Sequence, residues 1–166
     1  MSAPLHRPEV LVLGLGNPDR GDDGVGIRIV EAVGALSLPG AVVKLRTGDM
    51  LSLIEDWAGF AQIICVDAAA PIDRPGRVHR INALREPLPV APGLASSHGI
   101  GLAEVVALAR TLDMLPRVLT VFAVEGQSFA AGEHLSTAVA AQIAPVAHLI
   151  ADEVHRLATV PGAAHA

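Results

Sequence analysis

The chain alternates short, almost wholly apolar runs with stretches whose apolar residues recur at helical spacing. Glu9 to Leu15 (EVLVLGL) is an apolar run that leads into glycines, the pattern of a buried parallel strand. From Asp22 to Leu36 the apolar positions Val25, Ile29, Val30 and Val33 share one helical face. Ala41 to Leu45 reads as a second strand, and Gly48 to Ala58 as a helix presenting Met50, Leu51, Ile54 and Trp57. Ala61 to Val66 is the clearest strand and stops at Asp67. Gly76 to Ile81 (GRVHRI) roughly alternates, which suits an edge or antiparallel strand.

A loop rich in Pro and Ser follows, from Arg85 to Ser97. Ile100 to Leu112 is predicted helical, with Val105, Val106, Leu108 and Ala109 inward. Arg117 to Val124 is a last strand, and Leu135 to Leu157 a long helix with a kink expected near Pro145. The resulting order β-α-β-α-β-β-α-β-α predicts a three-layer α/β sandwich around a mostly parallel sheet. Such sheets bind ligands beyond the carboxyl ends of their strands, where the winding reverses. The loops after strands one, three and four are therefore the places to look for function.

Length and composition narrow the classes. At 166 residues with no internal repeat or long linker, the chain reads as a single domain over 1–166, with 1–8 and 159–166 as flexible tails. With one Trp, three Phe and no Tyr, the core must be aliphatic, and no aromatic platform can stack bases. The net charge of -5 and the scattered basic residues also argue against nucleic acid. Cys65 is the lone cysteine, so neither an internal disulfide nor a thiolate cluster is expected, and its apolar neighbours make it a buried small hydrophobe. Met1 to Val10 lacks the apolar core of a secretory signal. Leu135 to Ile150 is too short and polar to span a bilayer. A cytoplasmic, monomeric protein is expected.

The loop after strand one, Gly14 to Gly26, holds five glycines in thirteen residues, which lets its backbone turn sharply and approach a partner closely. A dinucleotide fingerprint would need Gly where Asp19 stands, and a phosphate loop would need Lys where Asp22 stands. Asp19, Asp22 and Asp23 would repel a phosphate, so the loop suits a cation. Asp22 reads as the N-cap of the following helix. Asp23 adds little as a second cap and is the better candidate for chemistry.

Asp67 closes an apolar strand, where it could cap the next loop or serve a site. His98 precedes a helix in Ser96-Ser97-His98-Gly99-Ile100, where it could be a bystander to a serine cap or a neutral metal ligand. All three residues lie in or beside loops predicted at one edge of the sheet. Two carboxylates and one imidazole make an oxygen and nitrogen donor set for a borderline divalent metal, with positions left open. His79 alternates with apolar residues on a strand. With His6, His134, His148, His155 and His165 it reads mostly as solvated surface. There is no HExxH helix and no GxSxG elbow, and Ser96 or Ser97 beside His98 makes a poor nucleophile and base pair.

At these residues the chain resembles the nickel-iron hydrogenase maturation protease family. The match comprises Leu11 to Pro18, Arg20 to Gly26, Val66-Asp67-Ala68 and Ser97 to Val105. The resemblance implies an α/β/α, phosphorylase/hydrolase-like fold with a five-stranded mixed sheet. It also implies an endopeptidase that removes a C-terminal extension from the hydrogenase large-subunit precursor once nickel is inserted. The family's metal-contacting positions fall on Asp23, Asp67 and His98, and the nickel is supplied by the substrate precursor. Hydrolysis through a metal-activated water and general-base catalysis by Asp23 or Asp67 both stay open. So do a different metal-dependent hydrolase on this scaffold and a nickel-sensing chaperone that binds the precursor without cutting it.

Overall fold

The computed structural model describes residues 9–88 and 100–159. Five strands form one sheet: β1 (Val10–Leu15), β2 (Ala41–Arg46), β3 (Gln62–Ala69), β4 (Val78–Asn82) and β5 (Val118–Glu125). Their order is β2-β1-β3-β5-β4, with β4 antiparallel to β5 at one edge and the other pairings parallel. The helices are α1 (Val25–Ala35), α2 (Leu53–Trp57), α3 (Leu102–Thr111), α4 (Thr137–Ala140) and α5 (Ile143–Thr159). The fold is the three-layer α/β/α sandwich with a mixed, mostly parallel sheet that the sequence predicts.

The period-two alternation of strand side chains divides the core into two halves. Leu11, Leu13 and Leu15 of β1 and Ile63 and Cys65 of β3 pack with α2 and α3 on one face. Val10 and Val12 of β1 and Ile64 and Val66 of β3 pack with α1 and α5 on the other. Each fully buried aliphatic side chain contributes about 1.5–3 kcal/mol relative to exposure, so both clusters hold the layers together. The crossovers from β1 to β2 and from β2 to β3 step in opposite directions along the sheet. Right-handed connection then sends α1 and α2 to opposite faces. The winding reverses between the carboxyl ends of β1 and β3, and the glycine loop and Asp67 meet there.

Several predicted elements change in detail. The first helix does not begin at Asp22: a 3-10 turn, Gly21–Gly24, precedes α1. The second helix shrinks to α2, because Asp49 instead accepts from the Leu51 amide and the Ser52 hydroxyl and makes a polar turn there. The expected long C-terminal helix is two helices broken at Ala141–Gln142, ahead of Pro145. Pro145 then falls in the first turn of α5, where its missing N–H has no intrahelical partner to lose. Among the described residues, no helix is long and apolar enough to cross a membrane.

Candidate active site

The glycine loop is held tightly against the ends of β1 and β3. Gly16 has φ +122, and a Cβ there would lie 1.9 Å from the carbonyl oxygen of Asp23, so only glycine lets the turn fold back on itself. Gly26 opens α1 between two strand ends. A Cβ on it would meet the Val66 carbonyl oxygen at 2.3 Å and that of Leu15 at 2.5 Å. The absence of these side chains lets the 3-10 turn bring Asp23 over the switch point.

Asp23 is partly buried, and its Oδ2 accepts from the Asn17 amide at 2.9 Å. Burial pushes its carboxyl above the ordinary carboxylate range, against the opposing pull of that hydrogen bond and of the Arg20 charge. Asp67 lies near the end of β3 and shares, by strand parity, the face of Ile63 and Cys65. Its Oδ1 accepts from its neighbour's amide, Ala68, at 2.8 Å. Burial first, and then the charge of Asp23, push Asp67 up to about 7, with the Ala68 hydrogen bond opposing. The charge of Asp23 is felt at Asp67, so the two carboxyls share the site, and both are held above the ordinary carboxylate range. This arrangement suits general acid and base work and also leaves oxygen donors open to a divalent cation.

His98, the third residue singled out from the sequence, lies outside the described residues. The helix that follows its segment, α3, packs on the same face of the sheet as Asp67. Among the described residues, no three His, Cys, Asp or Glu side chains converge on a common point. The described part of the proposed donor set is therefore the two carboxylates, hard oxygen donors that fit a divalent metal only as an incomplete set.

Asp22 corrects the capping expectation. It makes no cap hydrogen bond to the turn or to α1. It is fully buried, and it accepts from the amides of Gln127, Ser128 and Ser136 and from the Ser136 hydroxyl. Burial raises its carboxyl, but these four bonds outweigh that and leave it below the ordinary range. Neighbouring side chains in a 3-10 turn point about 120° apart, so one aspartate reaches the β5–α4 loop while the next faces the switch point.

His79 also differs from its expected place on the solvated surface. Its Nε2 pairs at 2.6 Å with Glu125, a fully buried carboxylate at the end of β5. Glu125 further accepts from the amides of Ile72, Asp73 and Arg74. Burial alone would raise its carboxyl; the His79 and amide hydrogen bonds together bring it down to about 2. Sequence reading passed over Glu125, although it ends an apolar strand much as Asp67 does. His148 and His155 bond the carbonyls of Ala144 and Ala151 on their own helix. Cys65 is buried, as expected.

Fold and site together define a doubly wound α/β/α protein with a coupled carboxylate pair at its topological switch point. The sequence profile of the hydrogenase maturation protease family, HycI, matches residues 47–153, a range that includes Asp67 and His98 and begins after Asp23. The hydrogenase 2 maturation protease of Escherichia coli K12 is 30% identical over 139 residues, 82% of this chain and 84% of that protein. The hydrogenase expression/formation protein HupD of Thiocapsa roseopersicina is 32% identical over 120 residues, 71% of this chain but only 54% of that longer protein. The solved hydrogenase maturating endopeptidase HybD from E. coli superposes with a TM-score of 0.71 at 24% identity, covering 89% of this chain and 93% of that one, a likeness of fold. The solution structure of an endopeptidase from E. coli gives a TM-score of 0.70 at 26% identity, over 86% and 89%. The chain belongs to the hydrogenase maturation protease family, a family of peptidases.

Proposed function

We propose that this protein is a cytoplasmic endopeptidase that removes the C-terminal extension of a nickel-loaded nickel-iron hydrogenase large-subunit precursor. In this reading Asp23, Asp67 and His98 contact the nickel carried by the substrate, and the two aspartates also serve the hydrolysis. The observation that supports it best is the coupled pair Asp23 and Asp67, both with carboxyls raised above the ordinary range.

Peptide hydrolysis needs a base to take a proton from the attacking water and an acid to give one to the departing amine. Two neighbouring carboxyls, one ionised and one protonated, can supply both roles without strong acid, and a carboxyl that contacts the metal serves as the ionised member. The ionised member accepts the water proton as oxygen bonds to the scissile carbonyl carbon. The protonated member then donates to nitrogen as the C–N bond breaks. An incomplete donor set binds free metal weakly, yet it can complete the coordination of a metal already held by substrate. Cleavage would thereby depend on loading.

The test mixes the protein with a nickel-loaded large-subunit precursor and with its nickel-free form, and weighs the products by mass spectrometry. The expected result is loss of the C-terminal segment from the loaded form alone. No loss from the loaded precursor sinks the protease reading; loss from both removes the nickel dependence. Asp23→Asn, Asp67→Asn and His98→Ala should each abolish the loss while the protein stays folded. Normal processing by any of them removes that residue from the site.

A further inference from the structure

The chemistry assigned to Asp23 depends on where its carboxylate points, and Asp23 does little to hold itself there. Its described side-chain hydrogen bond runs to Asn17, six residues back in the same loop, so that bond cannot anchor the loop to the rest of the molecule. The 3-10 turn is bracketed by Gly21, Gly24 and Gly26, which offer no side chains to anchor it. Asp22 is different: its carboxylate reaches residues more than a hundred positions away, with Oδ1 on the Ser136 amide at 2.7 Å and Oδ2 on the Gln127 amide at 2.7 Å, the Ser136 hydroxyl at 2.9 Å and the Ser128 amide at 3.2 Å.

Backbone bonds run alongside. The amide of Gly21 donates to Glu133 O, that of Asp22 to Ser128 O, and that of Gly132 to Asp19 O. Gly126 completes the joint, since a Cβ there would lie 2.9 Å from Asp22 Cβ. The loop between β5 and α4, which carries none of the residues that the sequence marks for chemistry, therefore sets the rotation of the turn that bears Asp23.

We propose that Asp22 is a positioning residue for the hydrolytic site: by gathering four donors from the β5–α4 loop, it fixes the turn so that Asp23 faces the end of β3. The proposal rests on the reading of Asp23 as a working carboxylate. Every partner of Asp22 but the Ser136 hydroxyl is an obligate donor. Asn at this position would offer one acceptor oxygen and set its NH2 against at least one backbone amide. The turn must then rotate or leave a buried donor unpaired. A shift of about 1 Å in a reacting group costs on the order of 100-fold in rate, whereas substrate docking elsewhere is untouched.

The test compares wild type, Asp22→Asn, Ser136→Ala and Asp23→Asn in the cleavage of the nickel-loaded precursor, with 15N-resolved NMR of the Asn17 amide as a readout independent of activity. The expected result for Asp22→Asn is a kcat lower by about 10- to 100-fold with KM unchanged. The Asn17 resonance, which reports its bond to Asp23, should shift while the resonances of the α5 helix stay in place. Ser136→Ala removes one of the four donors and should give the same pattern with a smaller loss, about 3- to 10-fold. Wild-type kcat and an unmoved Asn17 signal in folded Asp22→Asn would overturn the proposal, as would a raised KM with kcat intact. If Asp22→Asn fails to fold, Ser136→Ala decides: a normal kcat and an unmoved Asn17 signal overturn the proposal, and the graded loss supports it. Asp23→Asn separates the two readings, because full activity there sinks the role of Asp23 itself. If wild type cleaves nothing, the function falls, and the Asn17 signal in Asp22→Asn alone decides whether Asp22 sets the turn.

Discussion

His79 Nε2 lies 2.6 Å from Oε1 of Glu125, and Glu125 exposes none of its surface. The pair joins the antiparallel edge strand to the end of β5. Through the amides of Ile72, Asp73 and Arg74, Glu125 also fastens the loop that leaves β3 after Ala69, two residues beyond Asp67. A buried anion is tolerated here because four donors surround it.

Replacing Glu125 by Gln should therefore destabilise the protein by about 2–4 kcal/mol at pH 7, since amide donors lose a charged acceptor in a site closed to water. The sign of the pH dependence follows from its depressed carboxyl. The stabilisation is present above the ordinary value of 4.5 and is lost as pH falls through about 2. Urea unfolding of wild type and Glu125→Gln should show a gap that narrows from pH 6 toward pH 3. A gap constant across that range would mean the carboxylate charge contributes nothing.

Asp67 behaves in the opposite sense. A raised carboxyl favours the fold only while protonated, so its contribution is complete below the ordinary value of 3.8 and disappears as pH rises through about 7. Wild-type stability should fall between pH 4 and pH 8, and Asp67→Asn should flatten that slope. At pH 8.5 the variant should be more stable by roughly 1–3 kcal/mol, though inactive as a protease. Equal thermal midpoints for the two proteins at pH 8.5 would contradict this.

Two glycines in α1 make a matched pair. Gly26→Ala places a methyl group 2.3 Å from the Val66 carbonyl oxygen, a backbone atom that cannot step aside. It should cost about 2–4 kcal/mol and displace the turn that bears Asp23. At Gly34 a Cβ meets only Val43 Cγ1 at 3.8 Å, an ordinary contact. Gly34→Ala should thus stabilise the helix by up to about 1 kcal/mol. Denaturant midpoints moving in the same direction for both would refute the packing argument.

Burial, reinforced by the charge of Asp67, pushes the Cys65 thiol well above its ordinary range. An alkylating thiol reagent at pH 8 should leave the native protein unmodified and label it on unfolding. Labelling of the native state at the rate of a free thiol would show that β3 opens readily.

Much of the fold was legible because hydrophobic periodicity is a local signal. Ala61 to Val66 marked β3, and the alternation in Gly76 to Ile81 marked an edge strand. Val25, Ile29, Val30 and Val33 marked the inner face of α1. Boundaries were less visible where side chains compete with the backbone, as Asp49 does ahead of α2. The break before Pro145 was also hidden, since a proline in a first turn and one inside a helix look alike in sequence.

The division is sharpest between two adjacent residues. For Asp23 and Asp67, residue type and place after a strand already pointed to chemistry, because a parallel sheet gathers the ends of its strands at one edge. Asp22 and Glu125 are likewise acids with the same placement, so nothing local sets them apart. Their roles depend on donors from Gln127 to Ser136 and from Ile72 to His79, brought within hydrogen-bond reach only by the folded chain. Sequence by itself determined the layers and the acids at the switch point, since apolar spacing and strand order suffice for those. Tertiary structure alone decided which acids are held by distant loops, because that choice rests on contacts between residues far apart along the chain.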